Sequence, residues 1–313
     1  MNDFDIIVDS SANLPDKLRI ERGIKMISYR ITVNGQERLC FDENVPFTQS
    51  AKDFYAEVRA GADVKSSLVS EENFISAATP SLEAGKDVLI LTIASGISGT
   101  YQQALKAQKA LQATFPERTI VVKDSSNASL GQGMLALKVA DLRDMGETIE
   151  ACAKWLDDNT YKLNSYLTVG DLKYMRKSGR ISMPLAIAGA LLNIKPILKA
   201  DGGEVAKIVF SGREHGRKKA LSALAAAFAE RAVPLNQTVA IAHADCEEEA
   251  LALAETVKSM GATDVIIEYY DLCTGAHIGP GTVALFFMGK DRRGEAFDNA
   301  PAPVHAKAAK AKN

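Results

Sequence analysis

The chain opens on a short apolar run, Phe4–Val8, and comparable runs recur at Asp87–Ile93 and Thr119–Lys123. Each is brief and flanked by polar or turn-forming residues, which is how a strand buried on both faces reads. Between them the spacing changes. Phe54, Tyr55 and Val58 recur at helical intervals and stop at Gly61, Ser70 stands as an N-cap to a helix over Glu71–Ala78, and Gln103–Ala113 is rich in Ala, Leu and Gln. Strands alternating with helices predict a parallel sheet covered on both faces, an α/β/α domain.

The second half alternates again. Ser165–Val169, Ile194–Leu198, Val205–Phe210, Thr238–His243, Asp264–Tyr270 and Thr282–Met288 read as strands; Leu185–Leu192, Arg217–Arg231 and Glu247–Met260 read as helices. Asp201-Gly202-Gly203 separates two of the strands as a hairpin turn would, so this α/β domain is expected to have a mixed sheet. A chain of 313 residues suits two domains. The polar stretch Asp157–Thr160, after a helix around Ile149–Leu156, divides them into residues 1–160 and 161–297. Residues 298–313 begin Asp-Asn-Ala-Pro-Ala-Pro, run into an Ala/Lys mixture that can bury no core, and are expected to be a disordered tail.

Charge narrows the function. Thirty-seven basic and 39 acidic residues leave a formal net of −2, without the excess a nucleic-acid surface needs, and aromatics are 6%. Cys40, Cys152, Cys246 and Cys273 are widely separated and read as free thiols in a reducing compartment. The acidic start lacks the pattern of a signal peptide, and no apolar run reaches membrane-spanning length, so a cytoplasmic protein without a membrane span is expected.

Three strands of the first half end in hydroxyl-rich turns: Asp9-Ser10-Ser11, Ala94-Ser95-Gly96-Ile97-Ser98-Gly99-Thr100 and Asp124-Ser125-Ser126. Ligands of open parallel sheets lie outside the carboxyl ends of the strands, where such hydroxyls can converge and donate to an anion. The two Asp-Ser-Ser turns read first as helix caps. The Ser95–Thr100 turn carries more hydroxyls and glycines than one cap requires. Nucleotide motifs are missing: no P-loop occurs, and Gly131-Gln132-Gly133 lies too far beyond its strand for a dinucleotide fingerprint and reads as the start of a packed helix. No metal or cofactor is expected.

Taken in order, Ile6–Ser11, Leu91–Gln102, Asp124-Ser125 with Gly131-Gln132-Gly133, Leu172–Ser182 leading into Leu192–Leu198, and His277-Ile278-Gly279-Pro280-Gly281 resemble the DegV family of bacterial fatty-acid-binding proteins, over roughly residues 4 to 290. The resemblance implies two α/β domains with a fatty acid between them, its carboxylate at the interdomain cleft and its chain in an apolar tunnel. Residue by residue it points to Ser66, Ser67, Ser95, Arg180 and His277 as carboxylate contacts, with Ser98, Thr100 and Ser125 as further candidates. Five positions depart from the family's motifs: Leu68, Val69, Ala94, Ser178 and Ile278. The implied role is substrate presentation to a separate fatty acid kinase that makes an acyl phosphate for phospholipid synthesis, with no catalysis by this chain. Two alternatives stand beside it: a serine hydrolase using Ser95 or Ser98 with His277 and Asp9, and a lipid carrier or sensor without a kinase partner. His277 lies in a glycine-rich stretch that reads as a loop, and His243 reads as a structural residue at a strand end.

Overall fold

In β1 (Phe4–Asp9), Ile6 and Val8 pack on one face, Ile7 packs on the other, and all three are fully buried. Burial on both sides is what a continuous apolar run requires, and it places helices above and below the strand. The computed structural model describes residues 4–42, 44–182, 194–203 and 206–294. After β1 come α1 (Asp16–Glu21), β2 (Ile24–Ile27), β3 (Arg30–Val33), β4 (Gln36–Leu39), α2 (Phe47–Arg59), β5 (Val64–Ser66), α3 (Glu71–Glu83), β6 (Asp87–Thr92), α4 (Thr100–Thr114), β7 (Ile120–Asp124), α5 (Leu130–Asp144) and α6 (Ile149–Asn159).

Strands β2-β1-β6-β7 form a wholly parallel sheet. Val88 and Ile90 of β6 share a core with α3 and α4, whereas Leu89 and Leu91 pack with Leu135, Val139, Ile149 and Leu156 of α5 and α6. The Ser70 cap forms as a full capping box with Asn73, and its helix runs past Ala78 to Glu83 because Ser81 and Leu82 are also buried. A second, antiparallel sheet, β4-β3-β5, was not foreseen. Its strands have only three or four residues each, too few for a clear alternation. The signal present was Asn34-Gly35, whose positive φ values (50° and 84°) make the tight turn that joins β3 to β4.

The remaining elements are β8 (Leu163–Thr168), α7 (Lys173–Ser178), β9 (Ile181–Ser182), β10 (Ile194–Ala200), β11 (Ile208–His215), α8 (Arg217–Arg231), β12 (Thr238–His243), α9 (Glu247–Ser259), β13 (Asp264–Tyr269), α10 (Leu272–Ile278) and β14 (Val283–Met288). They build a sheet in the order β13-β12-β14-β8-β10-β11-β9, mixed as expected: β12/β13 and β9/β11 are parallel and the other neighbours antiparallel. The Asp201-Gly202-Gly203 hairpin joins β10 to β11, but the second arm starts at Ile208 and extends to His215, because pairing with β10 carries the polar stretch Ser211–Glu214 into the ladder. The expected helix Leu185–Leu192, the strand start at Val205 and the tail 298–313 lie outside the described residues.

Helices α8 and α9 cover the outer face of this sheet, with Leu224, Phe228, Leu253 and Val257 on Ile241, Leu285 and Phe287. The inner face joins the core of the first lobe through Leu167, Ala240, Ala284 and Phe286. Helix α5 lies where the two lobes meet. A Cβ on Gly131 would sit 2.9 Å from Leu163 and 3.0 Å from Phe286, and one on Gly133 would sit 2.4 Å from the Ala12 carbonyl. Those two glycines serve close packing, as the sequence suggested.

Candidate functional site

The stretch Gly275–Gly281 is helical through Ile278, not a loop. Its glycines are there for close approach: a Cβ on Gly275 would meet the Tyr55 hydroxyl at 2.2 Å, and one on Gly279, at φ +78°, would meet the Tyr174 ring at 2.1 Å. Asp271 caps α10 by accepting from the Thr274 N–H at 3.0 Å. Residues three and four apart share a helical face, so Cys273, Thr274, His277 and Ile278 all line one cavity of about 390 Å³.

The opposite walls come from three places. The end of β5 and the residues after it supply Ser66, Ser67 and Leu68; the turn after β6 supplies Ile93, Ile97, Ser98 and Gly99; the end of α7 and the residues after it supply Ser178 and Arg180. Ser11 and Tyr29 close the floor. A narrower extension of about 50 Å³ shares Ile97, Ala128, Ile208, Thr274 and Ile278 with the main cavity and continues between Leu167, Ala284 and Phe286 of the seven-stranded sheet. At the other end, Ser66, Ser178, Arg180 and His277 also border an open groove of about 650 Å³ that Arg59, Lys65, Lys173 and Lys177 flank.

Polar groups at the mouth are paired across elements. The Ser66 hydroxyl lies 2.8 Å from Nε2 of His277, joining the small sheet to α10. Burial, and then the like charge of Arg180, push the His277 imidazole down to about 4, so at neutral pH it is uncharged, with one N–H and one lone pair. Ser98 Oγ accepts from the Thr100 N–H at 3.2 Å and lies 2.9 Å from Thr100 Oγ1, which is 2.8 Å from the Tyr29 hydroxyl. Burial raises the Tyr29 phenol well above its usual range and keeps its proton in place. Asp9 is a cap, as its turn suggested, accepting from the Ser11 N–H at 3.1 Å; its other oxygen accepts from the Ile93 N–H at 2.8 Å and so braces the β6 turn.

The structure brings Ser66, Ser67, Ser98, Arg180 and His277 onto one cavity, with Thr100 behind Ser98. It does not bring Ser95 or Ser125 there. The Ser95 backbone N–H donates to Asp124 at the end of the neighbouring strand, which anchors that half of the turn away from the cavity wall. Ser125 is fully buried and donates to the Asn127 carbonyl at 3.0 Å, an internal turn contact. Arg180 is exposed at the rim and donates to the Ser178 carbonyl. His243 is buried against Tyr269, with ring centres 4.2 Å apart, in the structural role expected of it. Sequence reasoning missed Tyr29, Met175, Cys273 and Thr274; no local pattern marks them, because only the packing of α10 against the small sheet makes them neighbours. Among the described residues no cluster of three His, Cys, Asp or Glu could hold a metal ion, and no helix is long and apolar enough to cross a membrane.

A family model described as "Uncharacterised protein, DegV family" matches residues 3–290. The chain belongs to the DegV family. A DegV domain-containing protein of Clostridium perfringens is 34% identical over 292 residues, covering 92% of this chain and 98% of the relative. Among solved structures, a DegV lipid-binding protein from Thermotoga maritima superposes with a TM-score of 0.79 at 27% identity, covering 93% of this chain and 99% of that one. DegV from Bacillus subtilis, described as a fatty-acid-binding protein, gives 0.77 at 27% identity, covering 93% and 100%. Of the five positions where this DegV chain departs from the family motifs, Leu68, Ser178 and Ile278 line the cavity, Ala94 lines its extension and Val69 is buried in the core.

Proposed function

We propose that this chain binds a long-chain free fatty acid, with the carboxylate at the Ser66–His277 pair and the acyl chain running into the second lobe. The observation that carries the reading is that pair: two neutral hydrogen-bonding groups 2.8 Å apart at the mouth of a cavity whose far walls are largely apolar. Ser67, Ser98 and Arg180 are the other head-group contacts in this reading. Burying each methylene contributes about 0.8 kcal/mol, so a chain of ~14 gains roughly 11 kcal/mol, against an association cost of ~4–15 kcal/mol. The tail supplies affinity; the hydroxyls and the imidazole select an acid and fix where it lies.

In this reading the chain performs no chemistry itself and presents the carboxylate to a separate kinase. The groove beyond the mouth supports that step. It is flanked by five cations, of which Arg59, Lys65, Lys173 and Lys177 pair with Asp245, Asp63 and Asp171 while Arg180 stands at the mouth, an arrangement that suits the approach of phosphate-bearing chemistry. A hydrolase relay would need His277 to serve Ser95 or Ser98 and to be oriented by a carboxylate. The ring instead pairs with Ser66 and has the cation Arg180 as its charged neighbour. The test is organic extraction of the purified protein followed by mass spectrometry. A C14–C18 fatty acid at near-stoichiometric yield is expected; lipid-free protein that also fails to take up added palmitate would end the reading.

A further inference from the structure

The lining of the extension mixes apolar side chains with polar ones, Ser126, Asn127, Ser165, Lys207, Tyr270 and Thr274 among them, and one further polar group is left unsettled by the fold. That group is Ser129, which is 1% exposed. Of the residues lining the extension, Ser129 is the one whose buried side-chain oxygen has no hydrogen-bond partner among the described residues. Its neighbours differ: the Ser165 hydroxyl donates to Asn127 Oδ1 at 3.1 Å, and the Asn127 amide donates to the Ser125 carbonyl at 2.8 Å.

Two further features set Ser129 apart. It occupies the N-cap position of α5, where a serine hydroxyl ordinarily accepts from a backbone N–H, yet it makes no such bond. Its backbone sits at φ 55°, ψ −146°, a conformation that favours glycine. A serine is therefore held at a position that strains it, does not use it as a cap, and places it on the lining of the channel. An unmodified acyl chain passing this wall would leave the hydroxyl unpaired, whereas a chain bearing its own hydroxyl at that depth would satisfy both groups.

Building on the fatty-acid reading above, we propose that this site selects long-chain fatty acids carrying a hydroxyl along the chain, with Ser129 as the specificity-determining residue. The hydroxyls of ligand and protein each donate to or accept from the other, and the carboxylate stays at the Ser66–His277 pair.

The test is competition against a fluorescent fatty acid on delipidated full-length protein, using octadecanoic acid and a series of isomers hydroxylated at successive carbons. One isomer or a pair of adjacent ones is expected to bind roughly tenfold more tightly than octadecanoic acid. Ser129→Ala, which keeps the strain, and Ser129→Gly, which relieves it, should both abolish that preference while leaving octadecanoic acid bound. Weaker binding of every hydroxylated isomer by the wild type overturns the inference and leaves the fatty-acid reading standing. So does a preference that survives both substitutions. Failure of octadecanoic acid itself to bind removes the reading on which both rest.

Discussion

The two ends of the cavity solve different problems with different materials. At the mouth, polar side chains from distant elements hold one another: Ser66 with His277, and Ser98 with Thr100 and Tyr29. At the inner end, Leu167, Ala284 and Phe286 offer surface and no geometry, and the buried hydroxyl of Ser129 has no partner among the described residues. The difference matters because hydrophobic burial scales with area and is indifferent to direction, whereas a hydrogen bond acts only at the right distance and angle. A lesion at the inner end should cost affinity in proportion to the methylenes displaced. A lesion at the mouth should cost less, and should change what is bound and how it responds to pH.

The sharpest way to break this comparison is to plug the passage. Ala128 lines both the cavity and its extension. A benzyl group there displaces about five methylenes, worth ~4 kcal/mol, close to a thousandfold in affinity. Ala128→Phe should therefore emerge from its expression host without C14–C18 fatty acid while keeping its circular dichroism spectrum. Full retention in this variant would show that the chain takes another route.

The next effect belongs to the mouth and is read in stability. The His277 imidazole is held near 4 in the folded protein against an ordinary value of 6.5. Between those values the unfolded chain takes up a proton and the folded chain does not. The contribution of this group is therefore fully present above pH 6.5 and is lost as pH falls toward 4, by up to about 3 kcal/mol. Glu268 and Asp271 work in the opposite direction. Burial raises them to about 7 and about 6, so their contribution is present at low pH and is lost as pH rises through those values. The His277 effect is isolated by comparison with His277→Gln. The stability of wild type relative to that variant should fall between pH 7.5 and pH 4.5 in urea titrations; a constant difference would mean that the imidazole is not buried in solution. At fixed neutral pH, Ser66→Ala should weaken palmitate binding by about tenfold, the loss of one hydrogen bond to a charged acceptor.

Legibility in the sequence divided along the same line. Three strands of the parallel sheet were visible as short apolar runs, while β2 was not, since Lys25 interrupts its four residues; the mixed character of the second sheet followed from one Asp-Gly-Gly turn. The small sheet that delivers Ser66 was not, since strands of three or four residues carry too little periodicity and its Asn34-Gly35 turn is a two-residue signal. Helix α10 was masked by its own glycines, which suggest a loop until Tyr55 and Tyr174 are seen pressing against them. Motif resemblance carried Ser66, Arg180 and His277 to the cavity. It had no means of finding Tyr29 or Ser129, whose roles depend on which surfaces meet.

The smallest predicted effect separates two serines on a single turn. Ser95 and Ser98 are three residues apart, and the family resemblance favoured Ser95. Only Ser98 lines the cavity, and its hydroxyl is tied into the chain through Thr100 to Tyr29. The contact that holds Ser95 uses its backbone N–H, donated to Asp124 at 3.1 Å, and an alanine there donates the same bond. Ser95→Ala should therefore change palmitate affinity by less than about twofold, the ordinary scatter of a surface substitution. Ser98→Ala breaks the chain of hydroxyls and leaves Thr100 to pair with Tyr29 alone, so it should weaken binding several-fold more than Ser95→Ala. Equal losses in the two variants would mean that the turn rearranges when the ligand enters, bringing the Ser95 side chain into the cavity beside Ser98.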